Sequence, residues 1–258
     1  MTRPAAAPAL EMRDITVRFG GIVALNKVNL TLAAGSVHAL IGPNGAGKTT
    51  LVSVLSGERR PNAGTVSMDG ADISGLSALR RARLGLTRTY QLTALFQGMT
   101  LRENLLLSLV ARDGPALSVA DIFRRRDRAR HADEVEAFLD RFALRAKAEA
   151  KPAALSHGDR RRLEIAMAMA SGPKVLLLDE PLAGLSTADA EALVRSIADG
   201  IKGQIPILLI EHDMDAVFQL SDEITVMVNG TVLASGSPEA IRASAEVQAA
   251  YLSEEDDF

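Results

Sequence analysis

Residues 42–49 read Gly42-Pro43-Asn44-Gly45-Ala46-Gly47-Lys48-Thr49 and fit the pattern G-x-x-x-x-G-K-[ST]. An apolar segment at 38–41 precedes them and is predicted to be a strand, while residues 49–55 have helical spacing and end at Gly57. In such a loop the glycines let backbone N–H groups face phosphate oxygens, and the helix N-terminus adds the positive end of its dipole. A chance glycine-rich turn is the alternative, but the lysine, the hydroxyl and both flanks favour a phosphate-binding loop in an α/β fold.

The side chains of this loop suit a nucleotide that carries a metal ion. Lys48 would neutralise charge on the β- and γ-phosphates, and the Thr49 hydroxyl would bind Mg²⁺. The candidate phosphate-binding residues are Asn44, Gly45, Ala46, Gly47, Lys48, Thr49 and Thr50.

A second apolar segment, Val175–Leu178, ends in two carboxylates, Asp179 and Glu180. Adjacent acids at the end of a buried strand repel each other and are costly to desolvate without a cation. A Mg²⁺–nucleotide site removes that cost: Asp179 would hold Mg²⁺ through water, and Glu180 would polarise the attacking water. Alone, the pair fits two solvated acids at a strand end equally well; beside a phosphate-binding loop, the catalytic interpretation is favoured.

A third motif, Leu155-Ser156-His157-Gly158-Asp159, precedes a predicted helix, Arg160–Ala170. Ser156 and Asp159 fit the capping box S-x-x-[DE], which is a structural role. A serine-capped helix N-terminus with a nearby glycine also binds anions, which makes Ser156 and Gly158 candidate nucleotide contacts. Two phosphate-binding helix ends far apart in the chain are explained if each binds the same nucleotide from opposite sides.

Composition narrows the classes of protein to which the chain can belong. With 29 Lys and Arg against 32 Asp and Glu, the formal net charge is −3, which gives no electrostatic reason to expect nucleic acid as a partner. There is no cysteine, which excludes disulfides and thiolate metal sites, and 47% of the residues are hydrophobic, enough for a sizeable core. No apolar run is long enough to cross a bilayer, so a role at a membrane would require docking on another protein.

The apolar pattern also changes along the chain. Short strands are predicted over residues 10–40, whereas continuous apolar runs at 175–178 and 207–210 are typical of a parallel sheet buried on both faces. Residues 188–201 between those runs are predicted to be helical. Asn229-Gly230, between two apolar runs, predicts a hairpin with a type I′ turn.

The predicted organisation is one domain with a helical insertion. Its parts are a disordered N-terminus (1–9), a single domain (10–253) made of a catalytic core with a β subdomain (about 10–89 and 166–253) and a helical part (about 90–165), and a disordered acidic tail (254–258).

The phosphate-binding loop, the Leu-Ser-x-Gly motif with a helical insertion ahead of it, and the acidic strand end resemble the nucleotide-binding subunits of ABC transporters. The resemblance extends over about 10–252. It implies a P-loop NTPase fold: a RecA-like, mainly parallel sheet core, an N-terminal antiparallel β subdomain and a helical insertion. It also implies Mg²⁺-dependent ATP hydrolysis in a head-to-tail dimer. Each ATP would lie between one subunit's phosphate-binding loop and the other's Leu-Ser-x-Gly motif.

The same resemblance implies roles for three further residues. Phe19 matches the aromatic that stacks on adenine, with a core strand residue as the alternative. Gln91 matches the glutamine that senses Mg²⁺ and faces the membrane partner. His212 matches the histidine that contacts the γ-phosphate, with a metal site shared with Asp213 as the competing interpretation. The predicted catalytic residues are thus Glu180, His212 and Gln91, and the predicted metal-binding residues are Thr49, Gln91 and Asp179.

Three positions in two segments depart from the family pattern. The motif that usually ends in Gly-Gly-Gln here reads His157-Gly158-Asp159, and Ser186 stands where many relatives carry aspartate. These departures bear on how two sites would communicate, and they leave the predicted catalytic carboxylate in place.

Several segments resemble the ATPases of branched-chain (hydrophobic) amino acid importers, among them Arg18-Phe19-Gly20-Gly21, Arg88-Thr89-Tyr90-Gln91 and Ile210-Glu211-His212-Asp213-Met214. By this resemblance the chain would pair with an identical or homologous ATPase subunit, transmembrane permease subunits and an extracytoplasmic solute-binding protein. It would lie peripherally at the cytoplasmic face of the plasma (inner) membrane.

Residues 95–105 are the candidate permease-contacting surface, or else the start of an amphipathic helix facing the core. Cassettes for urea, amides or lipopolysaccharide export share much of the pattern. A cassette acting on DNA or ribosomes is disfavoured, because the chain lacks a long coiled-coil insertion.

Overall fold

A computed structural model describes residues 8–89, 95–114 and 125–255, and the side chains within 8–89, 95–114 and 129–250. The chain divides into two compact units. The first comprises Met1–Arg88, Lys174–Glu180 and Lys202–Phe258, and the second comprises Thr89–Pro173 and Pro181–Ile201.

The first unit contains two sheets and the helices that cover them. Its elements in chain order are β1 (Leu10–Phe19), β2 (Ile22–Leu32), β3 (Val37–Ile41), α1 (Lys48–Ser56), β4 (Ala63–Met68), β5 (Ala71–Asp72), α2 (Ala78–Leu84), β6 (Leu86–Thr89), β7 (Val175–Asp179), β8 (Ile207–Ile210), α7 (Met214–Leu220), β9 (Glu223–Val228), β10 (Thr231–Gly236), α8 (Pro238–Arg242) and α9 (Ala245–Glu255). One sheet has the order β2-β1-β4-β5, and the other has the order β10-β9-β3-β8-β7-β6. Sequence reasoning predicted neither β4 and β5 nor α2 and β6.

The continuous apolar runs in the sequence form the central strands of the six-stranded sheet. Strand β3 pairs in parallel with β8 and β9, and β7 pairs in parallel with β8. Every residue of β3 and β8 is buried, because both faces of the sheet are covered. Helix α1 buries Leu51, Val52 and Leu55 in a core that also contains residues of the antiparallel sheet. The predicted parallel sheet and N-terminal antiparallel strands are therefore both present.

The predicted hairpin is confirmed with its turn type. Strands β9 and β10 are antiparallel, with Val228 opposite Thr231. Asn229 has φ 48° and Gly230 has φ 75°, and two successive positive values define a type I′ turn.

The second unit is helical within its described residues. Its elements are α3 (Leu101–Asp113), α4 (Arg125–Arg141), two 3₁₀ turns (Arg145–Lys147 and Pro152–Ala154), α5 (His157–Ala170) and α6 (Thr187–Gly200). Helix α3 packs on α4 and α5, and α5 packs on α6. Thr100 and Glu103 form a reciprocal capping box at the start of α3, a T-x-x-E pattern that sequence reasoning overlooked.

For residues 95–105 the sequence left two alternatives open, an exposed permease-contacting surface and the start of an amphipathic helix facing the core, and the segment contains both exposed and buried apolar residues. Leu101 and Leu105 are buried on α3, so the helix start is amphipathic and faces the core. Phe96, just before the helix, is exposed.

The chain ends differ from the predicted disorder. Ala9 donates its N–H to Leu32 O at 3.0 Å and is buried, so the ordered strand region begins before residue 10. At the other end α9 continues through Glu255, so the first two residues of the predicted tail are helical. Residues 1–7 and 256–258 lie outside the described part. Among the described residues, no helix combines the length and apolar character needed to cross a bilayer.

Candidate functional site

The phosphate-binding loop connects the end of β3 to the start of α1. Helix α1 begins after Gly47, which has φ 100° and provides no side-chain cap. The Lys48 ammonium donates to Gly42 O and, at 2.8 Å, to Pro43 O, so its charged end lies over the loop. The loop thus directs a helix N-terminus and a cation to the same place, which is an anion-binding arrangement.

Close backbone contacts explain two of the glycines. A Cβ on Gly42 would lie 2.1 Å from Met227 O, and a Cβ on Gly47 would lie 2.9 Å from Ala24 O. The hairpin turn supports the loop, since Gly230 donates its N–H to Ala46 O at 3.0 Å. The loop shape therefore depends on β2 and the β9–β10 turn as well as on its own sequence.

The acidic residues reach the same sheet edge as this loop. In the parallel register, Asp179 at the end of β7 lies opposite Ile210, and Leu40, near the end of β3, also lies opposite Ile210. Glu180 follows with φ 45°, and its N–H donates to Ile210 O at 2.9 Å. A left-handed conformation costs a residue with a side chain about 1–2 kcal/mol, and such strain often accompanies functional sites.

A cavity of about 450 Å³ lies at this edge. Its lining residues are Ile22, Val23, Ala24, Asn44, Gly45, Ala46, Gly47, Lys48, Thr49, Thr50, Glu180, Asn229 and Gly230. All the predicted phosphate-binding residues and Glu180 are thereby brought together. Sequence reasoning missed Ile22 and Val23, whose exposed apolar side chains directly follow the turn at Gly20-Gly21.

Phe19 is a surface residue. Its exposed fraction is 42%, so the alternative of a core strand residue is wrong. The Arg59 guanidinium lies 4.2 Å from the ring centroid, a cation–π contact on one face of the ring. Its role toward adenine stays a prediction.

His212 follows β8 in the first unit, and its side chain is 70% exposed. The backbone N–H of His212 donates to the carboxylate of the fully buried Glu211 at 3.1 Å. Asp213 caps α7 by accepting the N–H of Ala216, so its carboxylate has a structural role. No group of three or more His, Cys, Asp or Glu side chains that suits a metal ion occurs among the described residues. Gln91 lies outside the described residues.

The Leu-Ser-x-Gly motif opens α5 in the second unit. Ser156 is the N-cap and accepts the N–H of Asp159 at 3.1 Å, as predicted for that half of a capping box. The Asp159 carboxylate is instead paired with Lys147 and Arg162 and is almost completely buried. Burial acts to raise the pKa of Asp159, but hydrogen bonds from Lys147, Ser156 and Arg162 outweigh it and lower that pKa.

The departing residues Asp159 and Ser186 both have structural partners in this unit, and Gly158 of the same motif packs against α6. A Cβ on Gly158 would lie 2.5 Å from the Asp189 carboxyl group, so the start of α5 fits closely against α6. Ser186 is the N-cap of α6: it accepts the N–H of Asp189, and its hydroxyl donates to the Asp189 carboxylate at 3.1 Å. The serine thus takes the capping role for which aspartate is also suited.

The sequence pattern of the ABC transporter family matches residues 25–183. The chain belongs to the ABC transporter family. It is 42% identical to the high-affinity branched-chain amino acid transport ATP-binding protein BraF of Pseudomonas aeruginosa, over 96% of this chain and 98% of that protein. It is 41% identical to LivG of Escherichia coli K12, of the same description, with the same two coverages.

The fold of this ABC protein also matches solved cassettes. An ATP-binding cassette of an ABC transporter in its ADP conformation aligns with a TM-score of 0.79 at 27% identity, covering 95% of this chain and 98% of that one. The predicted ABC cassette fold is confirmed, and this ABC protein is an ATPase that binds and hydrolyses ATP.

The donor chemistry of the site also fits Mg²⁺. Thr49 lies in the first turn of α1 at the cavity and Asp179 ends β7, and both provide oxygen atoms, the ligands that Mg²⁺ prefers.

Proposed function

We propose that the chain is the ATP-hydrolysing subunit of an importer for branched-chain or other hydrophobic amino acids. The observation that carries the proposal is the identity of about two residues in five with two branched-chain amino acid ATPases, over nearly the whole of each chain. The partners would be a second ATPase subunit, permease subunits and a solute-binding protein outside the membrane. The chain would act as a peripheral subunit at the cytoplasmic face.

In the proposed cycle, the first unit binds the phosphates through the loop N–H groups and Lys48. Phe19 would stack on adenine with the face opposite Arg59. From the second cassette, Ser156 and Gly158 would complete the site. The Ser156 hydroxyl accepts the backbone N–H of Asp159 and donates to the Asp159 carboxylate, so a phosphate oxygen would compete with that carboxylate for the hydroxyl proton.

Hydrolysis would depend on Glu180 as the group that orients and polarises water, with His212 near the γ-phosphate and Gln91 reporting on the site. Thr49, Asp179 and Gln91 would hold Mg²⁺, which neutralises charge developing on the phosphates. Hydrolysis would turn one bridging ligand into two products, so the dimer would loosen and the helical unit would move the permease.

A groove of about 170 Å³ in the second unit supports the proposed contact with a permease. Its lining residues are Thr100, Arg102, Glu103, Leu106, Ala132, Val135 and Glu149. The groove has an apolar floor and a charged rim, with Arg102 paired to Glu149 at 2.7 Å. The exposed Phe96 precedes it in the chain, which favours residues 95–105 as a docking surface for a segment with an apolar face.

Uptake measurements test the proposal. In the source organism with this gene deleted, we expect leucine and valine uptake to fall to background. Wild type should restore it, and Glu180→Gln should not. That variant should also retain ATP binding but lose at least about 100-fold in turnover, because a positioned carboxylate is missing. Glu191→Gln, which changes an exposed carboxylate that pairs with Arg195 one helical turn away, is the matched control and should restore uptake fully.

Other outcomes would contradict the proposal in distinguishable ways. Loss of urea or amide uptake with normal leucine uptake would assign a different solute. Normal solute uptake with a defective lipopolysaccharide layer would assign lipid export. If Glu180→Gln kept more than half of the wild-type ATPase rate, Glu180 would be excluded as the catalytic carboxylate.

A further inference from the structure

Arg88 connects two carboxylates at the end of β6. Its Nη2 donates to Asp179 Oδ2 at 2.6 Å, and its Nη1 donates to both Glu58 carboxylate oxygens at 3.0 Å. The side chains of Arg88 and Asp179 are 12% and 14% exposed, whereas that of Glu58 is 37% exposed. The guanidinium therefore joins the mostly buried end of β7 to a partly solvated acid that follows α1.

The charge on Arg88 is permanent. Burial acts to lower its pKa, but hydrogen bonds and charge from Asp179, followed by those from Glu58, outweigh burial and raise that pKa. Arg88 therefore cannot release Asp179 by losing a proton. Release requires a competing cation at Asp179 or another anion for the guanidinium.

Mg²⁺ and a guanidinium oppose each other at one carboxylate. Each favours the ionised form, but their positive charges repel at the short separation that a shared carboxylate imposes. Arg88 thus orients Asp179 and at the same time reduces the net negative charge available to a divalent ion. Glu58 offers the guanidinium a second, already bonded acceptor, so weakening the Arg88–Asp179 bond does not leave a buried cation unpaired.

We propose that Arg88 is a positioning residue that competes with Mg²⁺ for Asp179, and that Glu58 limits this competition by holding the guanidinium when Mg²⁺ binds. The inference rests on the proposed magnesium role of Asp179. It adds a control on how strongly Mg²⁺ binds, set by a residue three positions before Gln91 in the chain.

The alternative is that Arg88 only ties neighbouring strands together. Arg81 provides a matched control, because it is a buried arginine of the same unit that donates to the backbone oxygens of Val54, Leu55, Ser74 and Leu76. Loss of Arg81 should weaken the fold without affecting Asp179. Loss of Arg88 should both weaken the fold and change the affinity of Asp179 for Mg²⁺.

The experiment measures the dissociation constant of a fluorescent ADP analogue with saturating Mg²⁺ and with EDTA, for the purified full chain. The ratio of the EDTA value to the Mg²⁺ value reports how much Mg²⁺ strengthens binding. Arg88→Gln should raise this ratio about tenfold, and Glu58→Gln should lower it several-fold, since the guanidinium then loses the Glu58 carboxylate and bonds Asp179 more strongly. Arg81→Gln should leave the ratio unchanged.

Thermal unfolding provides a readout without turnover. Arg88→Gln should lower Tm in EDTA, and most of that loss should disappear with Mg²⁺ and ADP. Arg81→Gln should lower Tm equally in both conditions. If Arg88→Gln does not fold, Arg88→Lys should raise the ratio two- to threefold, because a point charge cannot span both carboxylates.

An unchanged or lowered ratio in Arg88→Gln, or in Arg88→Lys, would overturn the inference. A wild-type ratio near one, or a wild-type ratio retained by Asp179→Asn, would instead overturn the magnesium role of Asp179. The two failures are therefore distinguishable.

Discussion

The loop at residues 42–49 and the loop at residues 155–159 both lead into a helix N-terminus, but they are built differently. The first ends at Gly47, which provides no side-chain cap, and close contacts from other strands hold its glycines. The second is capped by Ser156 and fixed by the buried Asp159, which pairs with two cations. A helix end without its own cap leaves its N–H groups to a ligand, whereas a capped end keeps its shape by itself.

The comparison predicts that the first loop tolerates added atoms least. Gly42→Ala should cost about 4 kcal/mol of unfolding free energy, since its Cβ would meet Met227 O at 2.1 Å and its φ is 145°. Gly45→Ala in the same loop is the control. It has φ 79° but open space around its Cβ, so it should cost only about 1–2 kcal/mol. Urea unfolding of both variants measures the difference, and equal costs would show that backbone contact does not hold the loop.

The second loop should respond most to loss of charge. Asp159→Asn should cost about 2–3 kcal/mol, because Lys147 and Arg162 lose their ionised partner. Asp140→Asn, whose carboxylate pairs with Arg145 at the surface, is the control and should cost less than about 1 kcal/mol.

The cost of Asp159→Asn should also depend on pH. The native state lowers the Asp159 pKa from its ordinary value of 3.8. The ionised carboxylate therefore makes its full contribution to the free energy of unfolding above pH 3.8, and this contribution falls as the pH decreases through the native pKa. Urea unfolding at pH 7 and at about pH 3 should therefore show the wild type losing its advantage over Asp159→Asn in acid. If the difference in unfolding free energy between wild type and Asp159→Asn stayed constant from pH 7 to about pH 3, the stabilising role of the Asp159 ion pairs would be contradicted.

The smallest effect should come from the cap that faces this loop across Gly158. Ser186→Ala should cost about 1 kcal/mol, because the first turn of α6 loses its cap. Ser186→Thr should stay within about 0.5 kcal/mol. Ser186→Asp should be less stable than Ser186→Thr, since the hydroxyl donor to Asp189 becomes a second carboxylate. Thermal unfolding of the three variants gives the order, and a Ser186→Asp variant as stable as wild type would remove the role of that donor.

Sequence reasoning located the elements whose signal is local. The loop at 42–49, the acidic end of β7 and the Asn229-Gly230 turn each carry their chemistry within a few residues, and the structure has a strand, helix or turn at each. It missed the capping box of Thr100 and Glu103, although that pattern is also local. It predicted disorder at Ala9, where pairing with Leu32 creates order that no nearby residue indicates.

The sequence by itself determined the family, the α/β class and one part of the cavity lining, residues 44–50 and Glu180, because glycine, lysine and carboxylate placements are rare in combination and act through adjacent backbone. Only the tertiary structure decided that Asp159 is a buried ion-pair centre and that Arg88 holds Asp179. These depend on partners from other elements, and a side chain's charge environment is set by which elements fold against it. The residue type and its neighbours in the chain determine which interactions a side chain is able to make. Tertiary packing determines which of those interactions it makes in the folded protein.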